Sequence, residues 1–153
     1  MPHQITIYTD GAASGNPGPG GYGAVLISGQ HRKELSQGYK HTTNNRMELL
    51  AVIVALEALK TSPCEVTVYT DSKYVADAVA KGWVFSWVKK RFKGKKNPDL
   101  WMRFLEVYKK HNVNFVWVKG HAAIPENERC DQLAVEASKK NDLLNDEGYQ
   151  PDK

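Results

Sequence analysis

The sequence predicts an α/β protein: a five-stranded mixed sheet, three antiparallel strands and then two parallel ones, flanked by helices. Three strand-like runs follow one another at the N-terminus with no helix between them, which makes an antiparallel meander. The two later strands are each entered from a helix, as parallel strands require. The chain has 153 residues, 41% of them hydrophobic. That suits one domain, 1–153, able to bury roughly 70% of its unfolded surface.

Residues 4–8 alternate, with Ile5 and Ile7 on one side, and form a half-buried strand ending near Asp10. The run from Gly11 to Gly23 is rich in Gly, Pro, Asn and Ser and reads as a turn. Gly23 to Ser28 and Arg32 to His41 are two further strands around Gly29-Gln30. Thr42 or Thr43 caps a helix running to about Lys60, apolar on nearly all sides and therefore buried. Ser62-Pro63 ends it, Val66 to Thr70 is the fourth strand, and Ser72 to Ala80 a short helix. A basic segment follows, a helix and then a loop around Gly94. Asp99 suits the cap of a helix to about Lys110 with Met102, Leu105 and Tyr108 or nearby residues on its core face. Val113 to Val118 is the fifth strand, and Pro125 opens a last helix ending near Lys139-Lys140, with Glu126 and Glu128 at its positive end. The tail after Asn141 shows no periodicity and is expected to be loosely held.

Composition excludes several classes. The longest uninterrupted apolar run, Leu49 to Leu56, is far shorter than the ~20 residues that span a bilayer. No basic region followed by an apolar core marks a secretory signal, so no membrane role and a cytoplasmic location are expected. Cys64 and Cys130 belong to no metal-binding spacing and read as reduced, buried thiols. Net charge is +4, yet residues 81–96 alone hold seven cations (Lys81, Lys89, Lys90, Arg91, Lys93, Lys95 and Lys96) and no acid. Without them the chain is acidic by three charges, so one basic patch on an acidic body faces a polyanionic partner.

The carboxylates carry the chemistry. ITIYTD at 5–10 and VTVYTD at 66–71 are strands of equal parity that end in aspartate. If they are parallel neighbours, Asp10 and Asp71 leave one sheet edge about 5 Å apart. Each taken singly also suits an ordinary turn after a strand. Glu48 is the lone acid between Glu34 and Glu57, in a mostly apolar helix. It is either a site carboxylate or a first-turn acid near Arg46. Asp131, flanked by Cys130, Leu133 and Ala134, is either a site residue or an exposed acid beside Arg129. Four acids without a Cys or His cluster favour a hard ion, magnesium or manganese, over zinc. Two such ions suit phosphodiester hydrolysis, one activating water and one steadying the leaving oxygen. His121, in the loop before Pro125, is placed to shuttle protons; His3, His31, His41 and His111 read as surface residues.

Trp83, Trp87 and Phe92 interleave the basic run, pairing phosphate attraction with groups that stack or pack; Trp87 reads as an anchor to the body. GNPGPGG at 15–21 lacks the lysine of a nucleotide-binding loop. Asn16, Asn44 and Asn45 are short amides of the kind that read 2′-hydroxyls and base edges in a shallow minor groove.

With those residues in hand, the chain closely resembles bacterial type 1 ribonuclease H, which cuts the RNA strand of RNA/DNA hybrids. TDGAASGNPGPGGYG, TTNNRMELLA, TDSKYV, WVKGHA and PENERCDQLA follow the family's signature stretches in order, over residues 4–149. The resemblance implies that Asp10, Glu48, Asp71 and Asp131 hold two magnesium ions, with Mn2+ a possible substitute, and that His121 assists proton transfer or product release. It implies minor-groove contacts from Asn16, Asn44 and Asn45 with backbone near Gly11 and Gly15, and a grip on a DNA phosphate by Thr43 and Asn97. It makes residues 81–96, including Trp83, Lys89, Lys90, Arg91 and Lys96, a substrate-binding handle. Lys73 stands where a glutamine is usual, which turns a minor-groove contact into a phosphate contact. Phe92 stands where tryptophan is frequent, and Ala12-Ala13 makes the loop after Asp10 less polar. The expected function is hydrolysis of RNA in an RNA/DNA hybrid, leaving 3′-hydroxyl and 5′-phosphate ends, by a monomer with no obligate protein partner. The alternatives are a nuclease of the same fold acting on another nucleic-acid structure, and a non-catalytic hybrid-binding module.

Overall fold

A computed structural model describes residues 3–119 and 124–149. The elements run β1 (His3–Ala13), β2 (Gly18–Ser28), β3 (His31–Thr42), α1 (Asn44–Glu57), β4 (Cys64–Thr70), α2 (Lys73–Ala80), α3 (Trp83–Lys89), α4 (Pro98–Tyr108), β5 (Asn112–Trp117) and α5 (Pro125–Ser138). The sheet order is β3-β2-β1-β4-β5; β1, β2 and β3 pair antiparallel, while β1–β4 and β4–β5 are parallel. This is the expected mixed sheet. Among the described residues no helix is long and apolar enough to cross a membrane.

Two layers of helix cover the sheet. On one face α1 packs over β1 and β2 and meets α4 on its outer side. Its buried residues run from Arg46 to Leu56 almost without a break, as an all-round apolar helix must be placed. Thr43 caps it, the hydroxyl accepting from the Arg46 amide at 3.2 Å. On the other face α5 lies across β1, β2 and β3, with Cys130 and Leu133 against Val25.

Several expectations are corrected. The stretch from Gly11 to Gly23 is mostly strand: Gly11 pairs with Tyr22, Ala12 with Gly21 and Ala13 with Gly20. Most of its glycines serve close approach; Gly15, in the bend between β1 and β2, is the one at positive φ. A side chain on Gly11 would run into the Glu48 amide nitrogen, and one on Gly23 into the Cys130 carbonyl. In α4 the core face is Leu100, Trp101, Phe104 and Val107, while Met102 is exposed. Trp101 and Phe104 are larger than Met102, and burying their rings sets the helix phase. Asp99 is not the cap of α4; Asn97 precedes the helix in left-handed conformation and Pro98 opens it. Phe92 is buried in the main core instead of being free to stack, while Trp87 meets Trp101 edge-on as expected of an anchor, so both hold the basic segment to the body. His111 is half-buried, its Nδ1 accepting from the Cys64 amide at 3.0 Å. Residues 142–149 are tied down: Leu144 exchanges backbone hydrogen bonds with Gly38 and Lys40 along β3. The Asp146 carboxylate accepts from Thr42 and Arg46.

Candidate active site

The two echoed hexapeptides lie side by side, residue for residue: Ile5 against Val66, Thr6 against Thr67, Ile7 against Val68 and Tyr8 against Tyr69. The two tyrosine rings stack at 4.9 Å across the strand pair, which resists a slip of register. Two residues further on, the strands deliver Asp10 and Asp71 to the same edge. The Asp10 carboxylate accepts from the Gly11 amide at 2.9 Å. Beyond β4, the buried Thr70 hydroxyl accepts from the Ser72 amide, and the Ser72 hydroxyl caps α2 through the Val75 amide. These bonds fix the bend that presents Asp71.

Glu48 completes the cluster from above. It sits in the second turn of α1, brought onto β1 by the bare backbone of Gly11. One carboxylate oxygen from each of Asp10, Glu48 and Asp71 lies within 4.8 Å of the others. Glu48 is buried, and its Oε1 has no hydrogen-bond partner. Arg46, a conceivable partner in sequence, turns the other way, so the first-turn reading of Glu48 does not hold. Burial, then the charges of Asp10 and Asp71, hold the Glu48 carboxyl well above the usual range. Asp10 is pushed up to about 7, chiefly by burial and further by Asp71 and Asp131, against the contact with Glu48 and the Gly11 amide. Three carboxylates in one small space, one with an orphaned buried oxygen, fit a hard divalent cation.

Asp131 stands outside this trio. It is exposed on α5, and its charge reaches Asp10 because Gly23 lets that helix lie close to the sheet. Cys130 beside it is buried and donates to the Tyr8 carbonyl at 3.1 Å, a packing role. His121 lies outside the described residues.

The sequence-predicted binding residues lie on the β1–β2 loop with the start of α1, on α2, around Arg46 and on the basic segment. Asn16 and Asn44 tie the β1–β2 loop to α1: the Asn44 amide donates to Asn16 Oδ1 at 2.9 Å, and Asn44 Oδ1 accepts from the Ala13 amide. Gly15 precedes this link at a φ of 86°, and Asn45 is exposed beside it. Lys73 opens α2 next to Asp71. Arg46 links Thr43 and Asn97: its backbone amide donates to the Thr43 hydroxyl, and its guanidinium donates to Asn97 Oδ1, each at 3.2 Å. The other end of Asn97 donates to the Tyr74 hydroxyl at 3.1 Å. On the basic segment Lys89, Lys90, Arg91 and Lys96 are exposed, as is Trp83, whose ring lies under Lys81 at 5.1 Å.

Sequence reasoning passed over Arg46. Its guanidinium is buried, paired with Asp99 at 2.7 Å and Asp146 at 2.7 Å, and so joins α1, α4 and the C-terminal segment. The signal was present: Arg46 is the one cation in an otherwise apolar helix, the same anomaly that singled out Glu48.

A mixed sheet that gathers carboxylates at the ends of two parallel strands, with a third on the helix above, belongs to an enzyme that works with divalent metal ions. The comparisons with known proteins define which. The sequence profile of RNase H matches residues 2–139, and the chain belongs to the ribonuclease H family of metal-dependent endoribonucleases. A protein of Trichodesmium erythraeum named Ribonuclease H is 59% identical over 152 residues, covering 96% of each chain. One of Synechocystis named Ribonuclease HI is 54% identical, covering 97% of this chain and 96% of the other. Among solved structures, a type 1 RNase H with the type 2 active-site motif superposes with a TM-score of 0.81 at 31% identity, covering 90% of this chain and 73% of that one. An RNase H1 solved in complex with an RNA/DNA hybrid superposes with a TM-score of 0.66 at 30% identity, covering 87% and 95%.

Proposed function

We infer that this protein hydrolyses the RNA strand of RNA/DNA hybrids with two magnesium ions, leaving 3′-hydroxyl and 5′-phosphate ends. The observation that carries the reading is the buried Glu48 oxygen without a partner, facing two aspartates on adjacent parallel strands. A module that only bound nucleic acid would gain nothing from three mutually repelling acids at a phosphate-facing edge.

Asp10, Glu48 and Asp71 would hold the metal ions, with Asp131 contributing from α5 and Mn2+ able to substitute. Bound there, divalent ions supply an activated water and charge neutralisation at the departing oxygen. The remaining work falls to the chain. Asn16, Asn44 and Asn45, with backbone at Gly11 and Gly15, sit where a minor groove with its 2′-hydroxyls is read. Thr43 and Asn97 hold a phosphate of the DNA strand, positioned by Arg46. Trp83, Lys89, Lys90, Arg91 and Lys96 form the basic handle over which that strand runs. His121 moves the proton to the leaving oxygen or helps product depart. The protein acts as a cytoplasmic monomer without an obligate protein partner. The relative solved with an RNA/DNA hybrid supports this choice of substrate.

The test is cleavage of a labelled RNA/DNA hybrid with magnesium, with EDTA, and by Asp10→Asn, alongside duplex RNA and duplex DNA. Cutting restricted to the hybrid, stopped by EDTA and absent in the variant, is expected. Hybrid binding without cutting by the wild type would make the protein a binding module. Cutting of another duplex instead would make it a nuclease of different specificity.

A further inference from the structure

Trp117 is a large aromatic left 43% exposed, and it stands at the candidate site. It ends β5, in register with Thr70, the residue before Asp71. Its indole Nε1–H donates to the Asp71 backbone carbonyl at 3.1 Å. Over its ring, 4.8 Å from the centre, lies the ammonium of Lys73.

Lys73 is oddly placed for a structural residue. It is the first residue of α2, where the aligned peptide dipoles present positive charge, and the first turn of that helix holds no acid to offset it. A cation there works against the helix dipole, and a breach of a local rule marks a candidate functional position. The aromatic face compensates by holding the ammonium while leaving it accessible to solvent. One indole therefore touches both sides of the site: the main chain that carries a carboxylate of the trio, and a cation at its rim.

We propose that Trp117 is a positioning residue with two duties, fixing the Asp71 main chain for the carboxylate cluster and holding Lys73 ready to meet a backbone phosphate of the hybrid. The inference rests on the hybrid-cleaving function above. An exposed ring can release its cation to a better partner, and a phosphate is one. Lys73 thereby adds a phosphate contact next to the acids, away from the handle, and keeps the negative strand from being repelled where the carboxylates gather.

The full-length wild type, Lys73→Gln and Trp117→Phe separate the two duties. Phenylalanine removes the N–H donor and keeps an aromatic face, though a smaller one. Binding of a labelled RNA/DNA hybrid is measured by anisotropy in EDTA across a salt series. Magnesium binding is measured without nucleic acid, from the rise in melting temperature along a magnesium titration. Lys73→Gln should lower the slope of log affinity against log salt by about 0.9, one phosphate fewer. Trp117→Phe should keep that slope but need about tenfold more magnesium for half of the thermal shift, the usual effect of losing a group that orients a ligand. An unchanged slope in Lys73→Gln overturns the phosphate contact, and an unchanged magnesium midpoint in Trp117→Phe overturns the positioning of Asp71. Should the wild type cut hybrid while both variants match it in both measurements, the proposal alone fails. Should the wild type neither bind nor cut hybrid, the function fails and the proposal with it.

Discussion

Asp10 carries the sharpest conflict between stability and activity. Its carboxyl is raised to about 7, first by burial and then by the charges of Asp71 and Asp131. A carboxyl raised on folding favours the folded state below its unfolded value, and that advantage is lost as pH climbs through 7. Without divalent ions, the protein should therefore be less stable at pH 8 than at pH 5 on account of this cluster. Asp10→Asn should remove the repulsion, raising stability at pH 8 in EDTA by about 1–3 kcal/mol while reducing cleavage to background. Denaturant melts at the two pH values check it; an equal or lower stability for the variant at pH 8 would count against the repulsion. Gly11 acts in the opposite direction. An added methyl there meets the Glu48 amide and the Met47 carbonyl carbon, both backbone, so α1 must move off the sheet. Gly11→Ala should lose about 1–3 kcal/mol as an overpacked contact. Cleavage should fall further than stability accounts for, because Glu48 moves with the helix.

At the level of elements, how far each could be read from sequence depends on where its determinants lie. The order of strands and helices and the pairing of β1 with β4 were legible, because alternation and the echoed hexapeptides are local patterns that match in register. Asp10 and Asp71 were legible as the matched ends of two echoed strands, and Glu48 as a lone acid in an apolar helix, where an isolated charge is expensive. The glycine-rich stretch was not, since glycine marks a turn and a close helix contact with the same letter, and only the positions of α1 and α5 decide between them. The phase of α4 was legible only in part for a similar reason: Leu105 and Tyr108 do pack against the core, but Met102 and Trp101 are both apolar and the available space chose the larger ring. The C-terminal segment has no period to read because its anchors are isolated long-range contacts: the Leu144 backbone along β3, and Asp146 received by Thr42 and by Arg46 a hundred residues earlier. That buried guanidinium is the tie between α1, α4 and the tail. Arg46→Met would strand Asp146 beside an apolar wall and leave Asp99 without its bidentate donor. A loss of about 3–5 kcal/mol is expected, as for other broken buried pairs. Hybrid affinity should weaken too, because Asn97 loses the donor at its Oδ1. Chemical denaturation and binding in EDTA measure the two effects separately.

Charge is distributed over the whole molecule in a way that matches a long polyanion lying across it. Acids gather at the ends of β1 and β4, while seven cations without an acid occupy residues 81–96. Such a separation gives the substrate an attractive handle and a site that is repulsive until cations fill it, so binding and cleavage are electrostatically distinct. The handle is also mechanically separate from its charges: Val84 and Phe92 are buried and Trp87 packs on Trp101, whereas Lys89, Lys90 and Arg91 point into solvent. Replacing those three with alanine should therefore leave the melting temperature within about 2 °C, as for exposed substitutions distant from any packing. Hybrid affinity should fall and its salt dependence flatten, by about 0.9 in slope for each phosphate contact removed and so by as much as about 2.7. Anisotropy titrations in EDTA over a salt series supply both numbers. A weaker affinity with an unchanged slope would mean that the three cations shape the segment without touching phosphate. The burden of attraction would then pass to Lys73 and the residues beside the carboxylates.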